Sequence, residues 1–155
     1  MQRKLSVLLG ALVLAACDSP IESLDQQRLW SALEIRNYDF VYTVACFCAM
    51  TGPNPAKITV RNGLVVKAEP TSGAVIPPVT TLPGRYPTVD SLFAIIERAR
   101  QANPAKLEVQ YDETYHFPKV ISLDPVEKAV DDEISYRVDS FVPNPPSLQS
   151  TTGGK

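Results

Sequence analysis

Histidine and cysteine, two residue types that are common in catalytic and metal sites, are scarce in this 155-residue chain. It contains one histidine, His116, which excludes a pair of metal-binding histidines. It has no phosphate-binding glycine loop and no nucleophile elbow. Because no motif names a reaction, the sequence predicts a protein that is not an enzyme, with no catalytic residue, no metal ligand and no cofactor.

Long apolar runs and a surplus of positive charge are also absent. Residues 5–14 form the longest apolar run, which is too short for the hydrocarbon core of a bilayer, since crossing it takes about 20 residues. Fifteen basic side chains face seventeen acidic ones, a formal net charge of −2. Such a chain has no electrostatic footprint for nucleic acid, so nucleic acid is not a predicted partner.

The N-terminus contains the parts of a signal peptide in their usual order. Arg3 and Lys4 form a basic region, residues 5–14 are mostly apolar, and two alanines precede Cys17. Residues 14–17, Leu-Ala-Ala-Cys, resemble the lipobox of bacterial lipoproteins. The resemblance implies cleavage before Cys17 and acylation of its sulfur and amine, with palmitate among the expected acyl groups. Two or more acyl chains anchor a protein stably in a membrane.

Processing at Cys17 divides the chain into four parts. We predict a lipoprotein signal peptide over residues 1–16, a lipidated tether over 17–21, a single domain over 22–142 and a disordered tail over 143–155. The mature chain keeps thirteen basic and seventeen acidic side chains, a formal charge of −4. Its expected location is the bacterial cell envelope, lipid-anchored on the periplasmic or extracytoplasmic side of a membrane.

Apolar periodicity predicts two helices and six strands. The first helix covers residues 22–36, and the second starts after Thr88, a good N-cap, and ends before Pro104. The strands are predicted at 39–48, 57–61, 64–69, 106–111, 119–123 and 133–142. Asn62-Gly63 joins the second and third strands, because this pair supplies the positive φ values of a type I′ hairpin turn.

The order of helix, three strands, helix, three strands indicates two similar units. A unit of about 50 residues buries its apolar face poorly alone, whereas two units can share one sheet. The predicted fold is therefore α+β, an antiparallel sheet of about six strands with two helices on one face. The residues expected to face the sheet are Leu29, Trp30, Ala32 and Leu33 in the first helix and Val89, Leu92, Phe93, Ile96 and Ala99 in the second.

Cys46-Phe47-Cys48 is the main candidate site besides Cys17. Residues two apart in an extended strand have Cα atoms about 6.5–7 Å apart, whereas a disulfide usually needs about 4.4–6.8 Å. A structural disulfide, the favoured interpretation, therefore requires the chain to bend at Phe47. Free core thiols and a redox or metal-handling pair are the alternatives, although a tetrahedral metal site needs about four ligands.

Three further groups have both a functional and a structural interpretation. His116 could act as a general base, but a turn position is the favoured interpretation. An acidic group could bind calcium, although its spacing favours a solvated turn; it consists of Asp124, Asp131, Asp132 and Glu133. An aromatic group could line a ligand groove, although such residues more often form a core; it consists of Trp30, Tyr38, Phe40 and Tyr42.

Several short segments between residues 28 and 141 have a characteristic order and spacing. They are Trp30, Tyr38-Asp39-Phe40, Cys46-Phe47-Cys48 and residues 60–65, 88–93, 109–112 and 117–121. Together they resemble a family of bacterial envelope lipoproteins called domain of unknown function 6174. That family has Gly-Tyr before the late proline, where this chain has His116-Phe117. The resemblance implies a lipid-anchored or secreted location, and no activity is established that would assign a catalytic residue.

The predicted function is that of a lipid-anchored envelope protein with a non-enzymatic binding or interaction activity. Its expected partners are membrane lipid, through acylated Cys17, and an unidentified envelope protein or small ligand. The alternative is a thiol redox or metal-handling protein that uses Cys46 and Cys48. A third hypothesis is a purely structural module of a larger envelope assembly.

Overall fold

A computed structural model describes residues 20–48, 54–71 and 85–144. The predicted signal peptide, Cys17 and the tail from residue 145 onward lie outside these ranges. The elements are α1 (Pro20–Ala32), β1 (Tyr38–Cys46), β2 (Ala56–Arg61), β3 (Leu64–Pro70), α2 (Val89–Gln101), β4 (Lys106–Tyr111), β5 (Pro118–Asp124) and β6 (Ile134–Pro143). Each predicted helix and strand is present, and β6 includes Pro143, which the sequence assigned to the tail.

Within the described residues the six strands form one antiparallel sheet in the order β3-β2-β1-β6-β5-β4. The pairing of β1 with β6 joins the unit α1-β1-β2-β3 to the unit α2-β4-β5-β6. Both helices cover the same face, since Trp30 of α1 contacts Tyr38 and Phe93 of α2 stacks on Tyr111. The predicted α+β class, the two units and the shared helix face are confirmed.

Helix α2 follows its sequence pattern closely. Its five predicted sheet-facing residues are all buried, and the Thr88 side chain accepts a hydrogen bond from the Ser91 N–H at 3.1 Å, as an N-cap does. The hairpin turn between β2 and β3 is also as predicted, with φ values of +51° at Asn62 and +75° at Gly63. Among the described residues, neither helix is long and apolar enough to span a membrane.

Helix α1 departs from the prediction in its extent and in its buried side. It starts at Pro20, where a proline is favourable because the first helical N–H has no partner within the helix, and Glu34 has already left the helix at φ +51°. Trp30 is buried, but Leu29 and Leu33 are 46% and 42% exposed, and Ala32 is exposed as well. The prediction for those three residues is wrong, because apolar side chains surround α1 and periodicity alone cannot select one side.

The aromatic group lies in the core, so its interpretation as a ligand groove is wrong. Trp30, Tyr38, Phe40 and Tyr42 are all buried in one cluster. The Trp30 ring meets the rings of its neighbours edge to face, and its Nε1 donates a hydrogen bond to Asp90 Oδ1 at 2.9 Å. Trp30 therefore connects α1 to the sheet and to the first turn of α2.

The buried tyrosines predict unfolding at alkaline pH. Burial raises the pKa of Tyr38 from 10.0 to about 12, although the hydrogen bond from the Val89 N–H opposes the rise, and burial also raises the pKa of Tyr42. The unfolded chain therefore loses these protons before the folded chain does. The stabilisation is fully present below pH 10 and is lost as the pH rises through about 12, which amounts to about 3 kcal/mol for Tyr38.

A pH titration followed by circular dichroism and by phenolate absorbance checks this expectation. The protons of Tyr38 and Tyr42 should be released together with loss of structure. Tyr42→Phe should unfold at a higher pH than the wild type, whereas Tyr38→Phe would also remove the acceptor of the Val89 N–H. Free ionisation of all six tyrosines near pH 10 with the structure intact would contradict it.

Candidate functional site

Four strands begin or end side by side at one end of the sheet. Cys46 at the end of β1 pairs with Ile134 of β6, which also pairs with Leu123 of β5. Lys106, the first residue of β4, pairs with Asp124, the last residue of β5. These strand ends and the β5–β6 loop form a groove of about 560 Å³, the strand-end groove, lined by Ala45, Cys46, Phe47, Lys106, Ser122, Leu123, Asp124, Asp131, Glu133, Ile134 and Ser135.

The strand-end groove has the size and composition of a small-molecule site. Such sites have volumes of about 300–1,000 Å³ and combine apolar walls with a few polar groups. Its apolar part consists of Phe47, Leu123 and Ile134. Its polar part includes Ser122 and Ser135, which are directly paired across β5 and β6.

Two carboxylate oxygens near the groove lack a hydrogen-bond donor. Asp132 Oδ2 accepts a hydrogen bond from the Val126 N–H at 3.1 Å and thereby closes the β5–β6 loop. In the part of the chain that the structure describes, the buried atoms Asp124 Oδ1 and Asp132 Oδ1 have no hydrogen-bond partner. An unpaired buried acceptor costs about 1–3 kcal/mol. Asp124 also lines the groove, although its Oδ1 atom has almost no solvent-accessible surface.

The charge of the groove is negative. Asp124, Asp131 and Glu133 line it, and none of the three forms an ion pair with another described residue. Lys106 is the basic residue of the described lining; its ammonium group lies 3.1 Å from Glu108 Oε1, and the three acidic residues outnumber it. An uncompensated set of carboxylates in a cleft attracts cations and repels anions.

The calcium interpretation of the acidic group receives no support from the geometry. Among the described residues, no three His, Cys, Asp or Glu side chains gather into a group that could hold a metal ion. Asp131 and Glu133 are exposed, as a solvated turn predicts, but Asp124 and Asp132 are partly buried. Asp124 belongs to β5, whose pairing with β4 and β6 removes it from solvent.

The two cysteines form a disulfide, the favoured interpretation from the sequence. β1 ends at Cys46 and the chain bends at Phe47, so the Cα atoms of Cys46 and Cys48 are 5.2 Å apart and not at the spacing of an extended strand. The Phe47 side chain between them is 83% exposed and lines the strand-end groove. The disulfide therefore fixes the bend that presents an aromatic ring at the groove.

His116 lies in the turn between β4 and β5, as predicted, and it is remote from the groove. Its φ is +64°, and its N–H donates to the Asp112 carbonyl at 2.9 Å. Glycine adopts such a φ most easily, and the family resemblance leads us to expect glycine at this position. His116 Nδ1 lies 3.0 Å from Gln26 Oε1 of α1, so the turn contacts the helix at the opposite end of the strands from Cys46.

Sequence reasoning missed most of the groove. Lys106, Ser122 and Ser135 were not singled out, because each is an ordinary strand residue in a one-dimensional pattern. They come together through the strand order β1-β6-β5-β4 and its register. Phe47 belongs to the cysteine motif, but the exposure of its side chain follows from the bend in the backbone, which the sequence does not specify.

The fold and the groove define an α+β domain of two helix-plus-three-strand units with a ligand-sized, acidic cleft at one end of its sheet. A family model described as a family of unknown function (DUF6174) matches residues 22–143. The chain belongs to that family. No curated protein and no solved structure gives a significant match.

Proposed function

We propose that this chain is a lipid-anchored bacterial envelope protein that works as a non-enzymatic binding module. The lipobox resemblance that ends at Cys17 supports the anchor, and with it a location on the periplasmic or extracytoplasmic side of a membrane. The strand-end groove is the observation that carries the binding function. Membrane lipid and a small ligand are the proposed partners.

The lining of the groove favours a ligand with a cationic head and an apolar body. A primary ammonium or guanidinium group pairs with the carboxylates of the lining residues Asp124, Asp131 and Glu133. Phe47, Leu123 and Ile134 offer apolar surface for the rest of the molecule.

The alternative function, thiol redox or metal handling by Cys46 and Cys48, has less support. Both sulfurs are joined in a disulfide, so a reductant would first have to release thiolates before they could bind a metal or attack another disulfide. A role for the disulfide in holding Phe47 at the groove needs no such step.

A matched pair of probes tests the groove. We expect 2-phenylethylammonium to bind about tenfold more tightly than the uncharged 2-phenylethanol, because one probe brings a charge-assisted hydrogen bond and the other does not. Nuclear magnetic resonance titration of isotope-labelled protein measures both affinities and shows which amides shift. Shifts should centre on Ser122, Leu123 and Ser135.

Asp124→Asn separates this site from general electrostatic attraction. It should abolish most of the preference for the cationic probe while changing the free energy of unfolding little, since it removes the negative charge of a partly buried side chain and keeps its shape. Glu127→Gln is the matched control, because this exposed residue of the β5–β6 loop lies outside the groove lining. Equal affinity for the two probes, or an equal effect of both substitutions, would contradict the proposal.

A further inference from the structure

The first turn of α1 presents apolar side chains outward. Ile21 is 73% exposed and Leu24 is 50% exposed. Residues three apart lie on neighbouring positions of a helix surface, so the two form one small apolar patch, the α1 tip. Contact with an apolar environment would remove the surface of both side chains from water, which is favourable.

The sheet does not cover the α1 tip. The side of α1 that faces the rest of the molecule contains Ser23, which is 6% exposed, Gln26, which contacts His116, and Trp30, which is 3% exposed. Ser23 thus faces the interior of the domain, whereas Ile21 and Leu24 face away from it. The described part of the domain therefore leaves the α1 tip exposed.

The short tether between Cys17 and α1 indicates what lies beside the α1 tip. Three residue steps separate Cys17 from Pro20, and a chain spans at most about 3.6 Å per residue. The Cα atom of Cys17 is therefore within about 11 Å of the start of α1. With its acyl chains in a bilayer, Cys17 holds the first turn of α1 at the headgroup region of the same bilayer.

We infer that Ile21 and Leu24 insert into the boundary between the headgroups and the acyl chains of the membrane that anchors Cys17. This inference rests on the proposed lipid anchoring and adds a second, side-chain contact with the membrane. The carboxylates of Glu22 and Asp25 lie beside the patch, so apolar insertion and not attraction to anionic lipid provides the contact.

The contact orients the whole domain. Trp30 packs on Phe117, and Gln26 reaches His116, at the end of the sheet where β5 begins. The strand-end groove lies at the other end, beside Cys46, and the nine residues of β1 between the two ends span about 26 Å. A membrane at the α1 tip therefore leaves the groove facing away from the lipid.

Depth-dependent quenching in vesicles tests the inference. The full chain, processed and acylated in a bacterial host, carries an environment-sensitive fluorescent amino acid at position 21, at position 24 or at position 130. Val130 is the matched control, because it is an exposed aliphatic residue in the loop at the groove end, 83% exposed. Each protein is reconstituted into phosphatidylcholine vesicles that contain lipids with a nitroxide on the acyl chain.

We expect quenching at positions 21 and 24 to be at least about threefold stronger than at position 130, because the nitroxide acts over a short distance within the bilayer. Anionic phosphatidylglycerol in the vesicles should leave the ratio unchanged. Equal quenching at all three positions, or protection of position 21 from aqueous iodide without quenching by lipid, would overturn the inference, the latter because another protein surface or residues 18–19 would then cover the tip.

Failure of the anchor is recognised separately. Flotation with vesicles and intact mass report acylation for each sample, and full-length Cys17→Ser provides the unacylated reference. An acylated, floating protein with no quenching at 21 and 24 overturns the membrane contact while the lipid anchor stands. An unacylated wild-type protein that does not float overturns the anchor and the inference with it.

Discussion

Replacing Trp30 with alanine is expected to lower the free energy of unfolding by about 3–5 kcal/mol. The substitution removes the ring that packs edge to face on Tyr38, Phe117 and Phe141, and it leaves a cavity between α1 and the sheet. It also removes the hydrogen bond to Asp90 that joins α1 to α2. Urea unfolding followed by far-ultraviolet circular dichroism measures the effect, since Trp30 is the single tryptophan and its own fluorescence is lost.

Two controls divide this effect into its parts. Trp30→Phe keeps an aromatic ring but loses the donor to Asp90, and should cost about 1 kcal/mol for the hydrogen bond together with a smaller loss of packing. Leu29→Ala changes the neighbouring residue, which is 46% exposed, and should cost much less than Trp30→Ala. If Leu29→Ala cost as much as Trp30→Ala, the assignment of the buried side of α1 would be wrong.

Replacing Cys17 with serine is expected to abolish acylation and processing together. Serine offers no thiol for the acyl transfer that precedes cleavage in the lipoproteins that this segment resembles. Incorporation of labelled palmitate should fall to background, and intact mass should report a chain that still begins at Met1. Cys48→Ser is the matched control and should be labelled and cleaved like the wild type, because its sulfur belongs to the disulfide with Cys46.

Intact mass is the decisive measurement for Cys17→Ser. An uncleaved precursor keeps its apolar residues 5–14 and can remain with the membrane, so fractionation alone would mislead. Palmitate labelling that persists in Cys17→Ser would contradict the anchor. So would a native protein that retains Met1 and has no acyl mass.

The sequence predicts the fold well where one element has one apolar side. The buried residues of α2 recur at helical spacing, and the strands of the second unit alternate, so their elements and faces follow directly. α1 is different, because Ile21, Leu24 and Leu29 occur around a helix whose buried side is chosen by Trp30. Tertiary packing selects the buried side of α1, and the local sequence pattern does not encode it.

The candidate site was less predictable than the fold, for a reason of topology. The strand-end groove joins residues from β1, β4, β5 and β6, and their proximity depends on β1 lying beside β6. Nothing in one dimension sets that order. The disulfide could be predicted on the condition that the chain bends at Phe47. Two cysteines can be joined only if their Cα atoms are close enough, and an extended strand keeps Cys46 and Cys48 too far apart.

The pairing of the first strand with the last has a consequence for how the chain folds. β1 gains its second neighbour when β6 arrives, and β6 is the last strand in sequence among the described residues. Contacts between residues so distant in sequence form slowly, because a long loop must close first. For the export to the envelope that we propose, this delay is an advantage, since a chain whose sheet is still incomplete stays unfolded and passes more easily through a narrow translocation channel.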